Sequence, residues 1–274
     1  DRARLRQHLL THGPGHGRGL DGCRVLAVAS GWGGVGKSSI ATNLAVALGR
    51  RGVRVALLDA DVWGFSVPRM LGVDRPPVVI HGLLIPVPAH GVRVVSVGLL
   101  TEESAPVLWR GPMLHKMLDQ FLTDVFWDGP DVVVVDMPPG TGDVALTIAG
   151  MLPAAELVLV TTPQPASRTV AQRAAAAMAR QVNLRVAGVV ENMSWFTADD
   201  GARYELFGNG GGALLARHLD VPLLGRIPFS VALREGADYG DPIVVRHPDS
   251  EASRAIDAVA ARLMARVAEV AREP

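Results

Sequence analysis

From Cys23 onward the chain alternates short apolar runs with stretches of helical periodicity. The runs cover residues 25–29, 53–58, 92–97, 132–135, 157–161, 186–190 and 223–227, and they are rich in Val and Leu. A strand that is apolar at nearly every position has both faces covered, so these runs predict a mainly parallel sheet between helix layers, a three-layer α/β/α fold. Helices are expected at 37–50, 114–127, 167–181, 213–219 and 251–271. Residues 24–29 read as a buried strand, and Ile40, Leu44, Ala47 and Leu48 recur at helical spacing soon after it. Residues 78–87, with His81-Gly82 in the middle, read as an inserted hairpin. No internal repeat is visible.

The length of 274 residues and the 49% hydrophobic content allow one or two domains with a large core. Residues 1–21 hold four Arg, three His and several Gly and read as a tail or linker, which leaves 22–274 as the folded domain. His8, His12 and His16 are spaced by four, a metal-ligand spacing on a helix, but Gly13, Pro14, Gly15 and Gly17 break such a helix. A solvated tail is the simpler reading. Zero formal net charge and a pI near 7.3 remove any global attraction to nucleic acid or an anionic membrane. The lone cysteine, Cys23, excludes an internal disulfide framework, and without a visible secretory signal the expected compartment is the cytoplasm. The weakly charged stretch 76–92 carries four prolines and two glycines, so it does not read as a membrane span.

Gly31-Trp32-Gly33-Gly34-Val35-Gly36-Lys37-Ser38-Ser39 fits the pattern G-x-x-x-x-G-K-[ST] between a strand and a helix. Glycines let backbone N–H groups close around phosphate oxygens, the lysine reaches the β- and γ-phosphates, and the hydroxyl binds Mg²⁺. The alternative is a glycine-rich turn with a surface lysine. Only two of the 27 basic residues are Lys, and roughly two such sequences per thousand would match by chance. The strand-loop-helix context therefore decides for a nucleoside triphosphate site. Lys37 is expected on an exposed loop, so its removal should spare the fold. Two further runs end in acids, Asp59-Ala60-Asp61 and Asp136 to Asp143, at the strand ends where ligands bind in open α/β sheets. Asp136 has the character of an acid that orients the water shell of Mg²⁺, and glycines such as Gly140 are placed to bring N–H groups to the γ-phosphate. Turn forming and helix capping are the competing readings, and for Asp143 capping weighs as much.

The same chain holds Asp59-Ala60-Asp61-x-x-Gly64-x-Ser66-x-Pro68, Trp109-Arg110-Gly111-Pro112-Met113, Glu191-Asn192-Met193-Ser194 and Phe207-Gly208-x-Gly210-Gly211-Gly212. Together with the phosphate loop and the 136–143 segment, this set resembles the Mrp/ApbC-type ATPases, iron-sulfur cluster carrier proteins related to MinD and ParA. The resemblance runs from Cys23 to the C-terminus. It implies a homodimer with ATP at the subunit interface and iron-sulfur assembly factors or client proteins as partners. It also implies residue roles. Residues Gly31 to Ser39 and Gly140 would surround the nucleotide, with Lys37 on the β- and γ-phosphates and Ser38 on Mg²⁺. Asp61 would position or activate the attacking water, Asp136 would act through Mg²⁺-bound water, and Asn192 would recognise adenine. Read from residue type alone, Asn192 is equally a strand-end turn former. Trp109 and Trp195 could be interface aromatics, with core packing as the default.

Two departures from the family pattern stand out. Relatives carry a second loop lysine that reaches the partner subunit's ATP, where this chain has Trp32. An indole cannot neutralise charge on a transferring phosphoryl group, so ATP binding should survive better than hydrolysis. Relatives that carry clusters also place C-x-x-C between the ENMS and FGxGGG segments, whereas residues 195–204 here contain no cysteine. A four-thiolate cluster needs four Cys and a dimer offers two copies of Cys23. Asp199-Asp200-Gly201 reads as a β-turn. The leading expectation is an Mrp-type ATPase acting in iron-sulfur assembly. The alternatives are a ParA/MinD-like positioning ATPase and an ATP-gated scaffold with little turnover. For the positioning ATPase, the stripe Ile256, Val259, Ala260, Leu263, Met264, Val267 and Val270 would lie on a membrane, although such a stripe more often packs on its own domain.

Overall fold

A computed structural model describes residues 4, 7, 20, 22–62, 64–100, 111–140, 142–152 and 154–270, and excludes the side chains of 111–114, 143, 179–180 and 266–270. His8, His12, His16, Trp109, Arg110 and Thr141 lie outside the described residues. The first half runs β1 (Arg24–Ser30), α1 (Lys37–Arg50), β2 (Val55–Asp59), α2 (Val67–Met70), β3 (Val78–Ile80), β4 (Leu83–Ile85), β5 (Val87–Ala89), β6 (Val92–Ser96), α3 (Gly111–Thr123) and β7 (Val132–Asp136). The second runs α4 (Asp143–Met151), β8 (Glu156–Thr161), α5 (Pro165–Val182), β9 (Arg185–Glu191), β10 (Phe196–Thr197), β11 (Arg203–Tyr204), α6 (Gly211–His218), β12 (Leu223–Arg226), α7 (Val231–Tyr239), α8 (Ile243–Arg246) and α9 (Glu251–Val270).

Eight strands form one sheet in the order β12-β9-β8-β1-β7-β2-β6-β5. All pairs are parallel except β5 with β6, an antiparallel edge that tolerates Pro88 because an edge strand needs no second hydrogen-bond partner. Successive residues of β1 feed opposite cores. Leu26 and Val28 meet Ile40 and Leu44 of α1 and Ile256, Val259 and Leu263 of α9, whereas Ala27 and Ala29 meet the layer containing Phe121, Ile148, Ala175 and Leu215. Two-sided burial is the reason the strands read as continuous apolar runs.

The described part of the α9 stripe is spent inside the domain. Ile256, Val259, Ala260 and Leu263 are buried, and the helix packs on α1 and β12. Of the two readings of the stripe, these positions follow packing on the domain itself rather than on a membrane surface. No helix among the described residues is long and apolar enough to cross a membrane.

The helix expected at 114–127 ends at Thr123 instead. Phe126 N donates to Leu84 O and Leu84 N to Asp124 O, so the chain leaves the helix to bridge β4, and Trp127 buries its ring while its Nε1 donates to Phe121 O. The expected hairpin is the β3-β4 pair, where His81 and Gly82 both take positive φ (51° and 81°), the combination that matches strand twist in a two-residue turn.

Candidate functional site

The phosphate loop leaves the C-terminal end of β1, which lies between β7 and β8, so it opens into the crevice where open α/β sheets bind ligands. A cavity of about 210 Å³ is lined by Trp32, Gly33, Gly34, Gly36, Lys37, Ser38, Ser39 and Asp61, with Ser30, Ser66, Met70 and Pro139. The N-terminus of α1 supplies free N–H groups at this end. Ser66 belongs to the motif of the first acidic segment and Pro139 to the 136–143 segment, whereas Met70 had no sequence signal. Gly31 is not part of the lining. A side chain there would run into the α5 backbone at Val170 and Ala171, so this glycine serves helix packing. Gly36 has φ 82°, and a Cβ on it would collide with the Asn192 amide.

Lys37 is not a surface lysine. It is 6% exposed, and its Nζ donates to Asp136 Oδ1 at 2.6 Å and to Ser38 Oγ at 3.1 Å. This corrects the exposed-loop reading on which the sparing of the fold was expected. Asp136 is fully buried, and burial pushes its carboxyl above the ordinary carboxylate range while the Lys37 ammonium pulls it back. Its Oδ2 is buried without a hydrogen-bond partner.

Asp59 faces Asp136 in the β2-β7 register, and burial together with the Asp136 charge pushes it up to about 7. Its oxygens accept from the N–H of Asp61 (3.2 Å), the N–H of Val67 (3.3 Å) and the Ser96 hydroxyl (3.0 Å). Asp59 therefore shapes the 61–67 turn rather than facing a ligand. Asp61 lines the cavity, braced by the Gly64 N–H on its Oδ1 at 3.1 Å. The Gly140 N–H, read as a phosphate donor, donates to Ser30 O at 2.9 Å and ties the turn after β7 to β1.

Asn192 reaches the loop from β9. Its Nδ2 donates to Val35 O at 2.9 Å, and its Oδ1 is buried with no partner. Because the Val35 carbonyl must receive a donor, the free end of this amide is the oxygen, an acceptor. Both orphaned atoms fit what the loop implies. Asp136, with Oδ2 unpartnered and the Ser38 hydroxyl within reach of its carboxyl, suits a hydrated Mg²⁺, and Asn192 Oδ1 suits an amino group on a base.

The stretch between the ENMS and FGxGGG segments forms the β10-β11 hairpin. Ala198 N donates to Ala202 O, Ala202 N donates to Asp200 Oδ1, and Gly201 has φ 83°, which is the turn read from Asp199-Asp200-Gly201. Trp195 is half-buried, with the guanidinium groups of Arg203 and Arg226 over its ring at 4.9 and 5.3 Å. Among the described residues no group of three or more His, Cys, Asp or Glu is arranged to hold a metal ion. Cys23 precedes β1, at the opposite end of that strand from the phosphate loop.

A phosphate loop at the switch point of a parallel sheet, backed by a buried Lys-Asp pair and strand-end acids, defines a P-loop NTPase. The profile of the ParA-type NUBPL iron-transfer P-loop NTPases matches residues 23–264, and the chain belongs to that family. It is 48% identical over 249 residues to the iron-sulfur cluster carrier protein of Mycobacterium tuberculosis, a match covering 89% of this chain and 65% of the relative. The chain thus spans less than two thirds of that relative's length. Among solved structures, it resembles the Archaeoglobus fulgidus nucleotide-binding protein in complex with ADP (TM-score 0.74, 34% identity, 85% of this chain and 91% of that one). Pyrococcus furiosus cell division ATPase MinD shares the fold, with TM-score 0.67 at 24% identity over 88% of this chain and 98% of the other.

Proposed function

We propose that residues 22–274 form an ATPase domain that binds Mg-ATP, dimerises, and serves iron-sulfur cluster assembly or transfer in the cytoplasm. The observation that carries this reading is the buried Lys37-Asp136 pair beneath the loop cavity, with an unpartnered Asp136 oxygen. A polyphosphate entering the cavity draws the Lys37 ammonium off Asp136, and Ser38 with the released Asp136 carboxylate would then hold a hydrated Mg²⁺. Mg²⁺ bound there would neutralise charge on the β- and γ-phosphates. Asn192 Oδ1 accepts from the adenine amino group. Asp61, at the cavity wall, positions the attacking water. The carrier role rests on the family and the mycobacterial relative's name. Titration of Mg-ATP by calorimetry, followed by turnover on the same sample, tests the reading; no measurable ATP binding would reject it.

Asp61→Ala should lower kcat at least ~100-fold while ATP affinity changes less than ~3-fold, since a water-positioning acid acts on the transition state. Equal losses in both would assign Asp61 to ground-state binding. A second reading, the ATP-gated scaffold, is favoured by Trp32, which is 55% exposed at the cavity mouth where a lysine would serve the partner's nucleotide. Trp32→Lys should raise kcat at least ~10-fold, a small part of what a charge supplied in trans contributes elsewhere. No gain at saturating ATP would leave the scaffold reading in front.

A further inference from the structure

Glu191 ends β9 one residue before Asn192, and it is completely buried. A carboxylate removed from water has to have its lone pairs filled. Its Oε2 accepts from Gly212 N at 2.6 Å, and its Oε1 from Ser194 Oγ and Arg226 Nε, both at 2.9 Å. Gly212 lies in the first turn of α6, where free N–H groups and the helix dipole favour negative charge. One side chain thereby joins the end of β9, the start of α6 and the end of β12.

The backbone closes the same junction. Ile227 N donates to Glu191 O at 2.8 Å, and Ser194 N donates to Ile227 O at 3.0 Å. Between these anchors Met193 takes φ 56°, a left-handed conformation uncommon outside glycine, and Asn192 sends its Nδ2 to the phosphate loop. None of the roles proposed for ATP chemistry uses Glu191. Its burial and three donors instead constrain the turn that aims Asn192.

We infer that Glu191 is a positioning residue for base selection. By fixing the 191–194 turn it keeps the Asn192 Nδ2 on Val35 O and leaves Oδ1 as the group presented to the base. An acceptor there pairs with the exocyclic amino group of adenine and opposes the keto oxygen of guanine. A site that needs a hydrogen bond rejects the base that cannot make it. The inference rests on the ATP site proposed above.

The test is equilibrium binding of Mg-ATP, Mg-GTP and pyrophosphate to the full chain and to Glu191→Gln, Ser194→Ala and Asn192→Ala. In Glu191→Gln the new amide NH2 faces either Arg226 Nε or Gly212 N, donor to donor in both orientations, which loosens the turn. The expected result is a ~10-fold loss of ATP-over-GTP preference with pyrophosphate affinity within ~2-fold, the size of one hydrogen bond that has lost its geometry. Asn192→Ala should remove the preference. If Glu191→Gln does not fold, Ser194→Ala reads the same effect at ~3-fold, because it removes the hydroxyl that reaches Glu191 Oε1 and Glu191 O, both at 2.9 Å, and leaves the carboxylate paired with Arg226 and Gly212. A preference unchanged in the folded variants, with only Tm lowered, overturns the inference. So does a parent protein that binds ATP and GTP alike. A parent that binds no nucleotide rejects the ATP site itself.

Discussion

Lys37→Ala is expected to cost stability as well as nucleotide binding. The ammonium is buried 2.6 Å from a carboxylate that has no solvent, so deleting it leaves Asp136 as an uncompensated buried charge. Breaking such a pair from one side costs about 3–5 kcal/mol, whereas removing both charges is often close to neutral. The double variant Lys37→Ala with Asp136→Asn should therefore regain most of the lost stability and none of the ATP affinity. The pH dependence has a definite sign. Asp136 already sits above its ordinary value of 3.8 because of burial, and without Lys37 it rises further. An acid whose folded pKa exceeds its unfolded one is neutral in both states at low pH and carries the full penalty only above the folded pKa. The Tm difference between Lys37→Ala and the parent should thus shrink as pH falls from 8 toward 5. Thermal denaturation with Mg-ATP titration at both pH values checks this; unchanged stability at pH 8 would show that the pair does not carry the charge balance described.

The purified protein, reconstituted with iron and sulfide under anaerobic conditions, should hold far less than one four-iron cluster per dimer. Thiolates are the usual ligands, and two copies of Cys23 are too few. Position is against them as well. Cys23 lies at the N-terminal end of β1, a seven-residue strand that spans about 23 Å at ~3.3 Å per residue, while the phosphate loop lies beyond its other end. Thr197→Cys with Asp200→Cys places two thiols on the β10-β11 hairpin and should create cluster binding. That gain comes with a looser hairpin, because Thr197 Oγ1 now donates to Glu251 Oε2 at 2.8 Å and Asp200 Oδ1 accepts from Ala202 N at 2.9 Å. Iron and sulfide analysis with absorption spectra reads both samples. A stoichiometric cluster on the parent chain, retained after Cys23→Ser, would refute the ligand count.

The strands, the phosphate loop and the family were readable from the chain itself for local reasons. A strand covered on both faces must be apolar throughout, and a phosphate cradle demands Gly36, Lys37 and Ser38 in consecutive positions. Residue type also told that Asp199-Asp200-Gly201 would turn. Tertiary structure decided the remainder, because the relevant partners are far apart in sequence. Lys37 and Asp136 are 99 residues apart and Asn192 and Val35 are 157 apart, so no local pattern announces that the lysine is buried or which end of the amide is free. Asp59 and Asp61 look alike in the sequence, yet the fold turns one into a brace for a backbone turn and leaves the other on the cavity wall. Gly31 reads as loop glycine until α5 lies against it. The stripe on α9 states that one face must leave water but not what covers it; only the packing of α1 and β12 assigns it to the domain's own core.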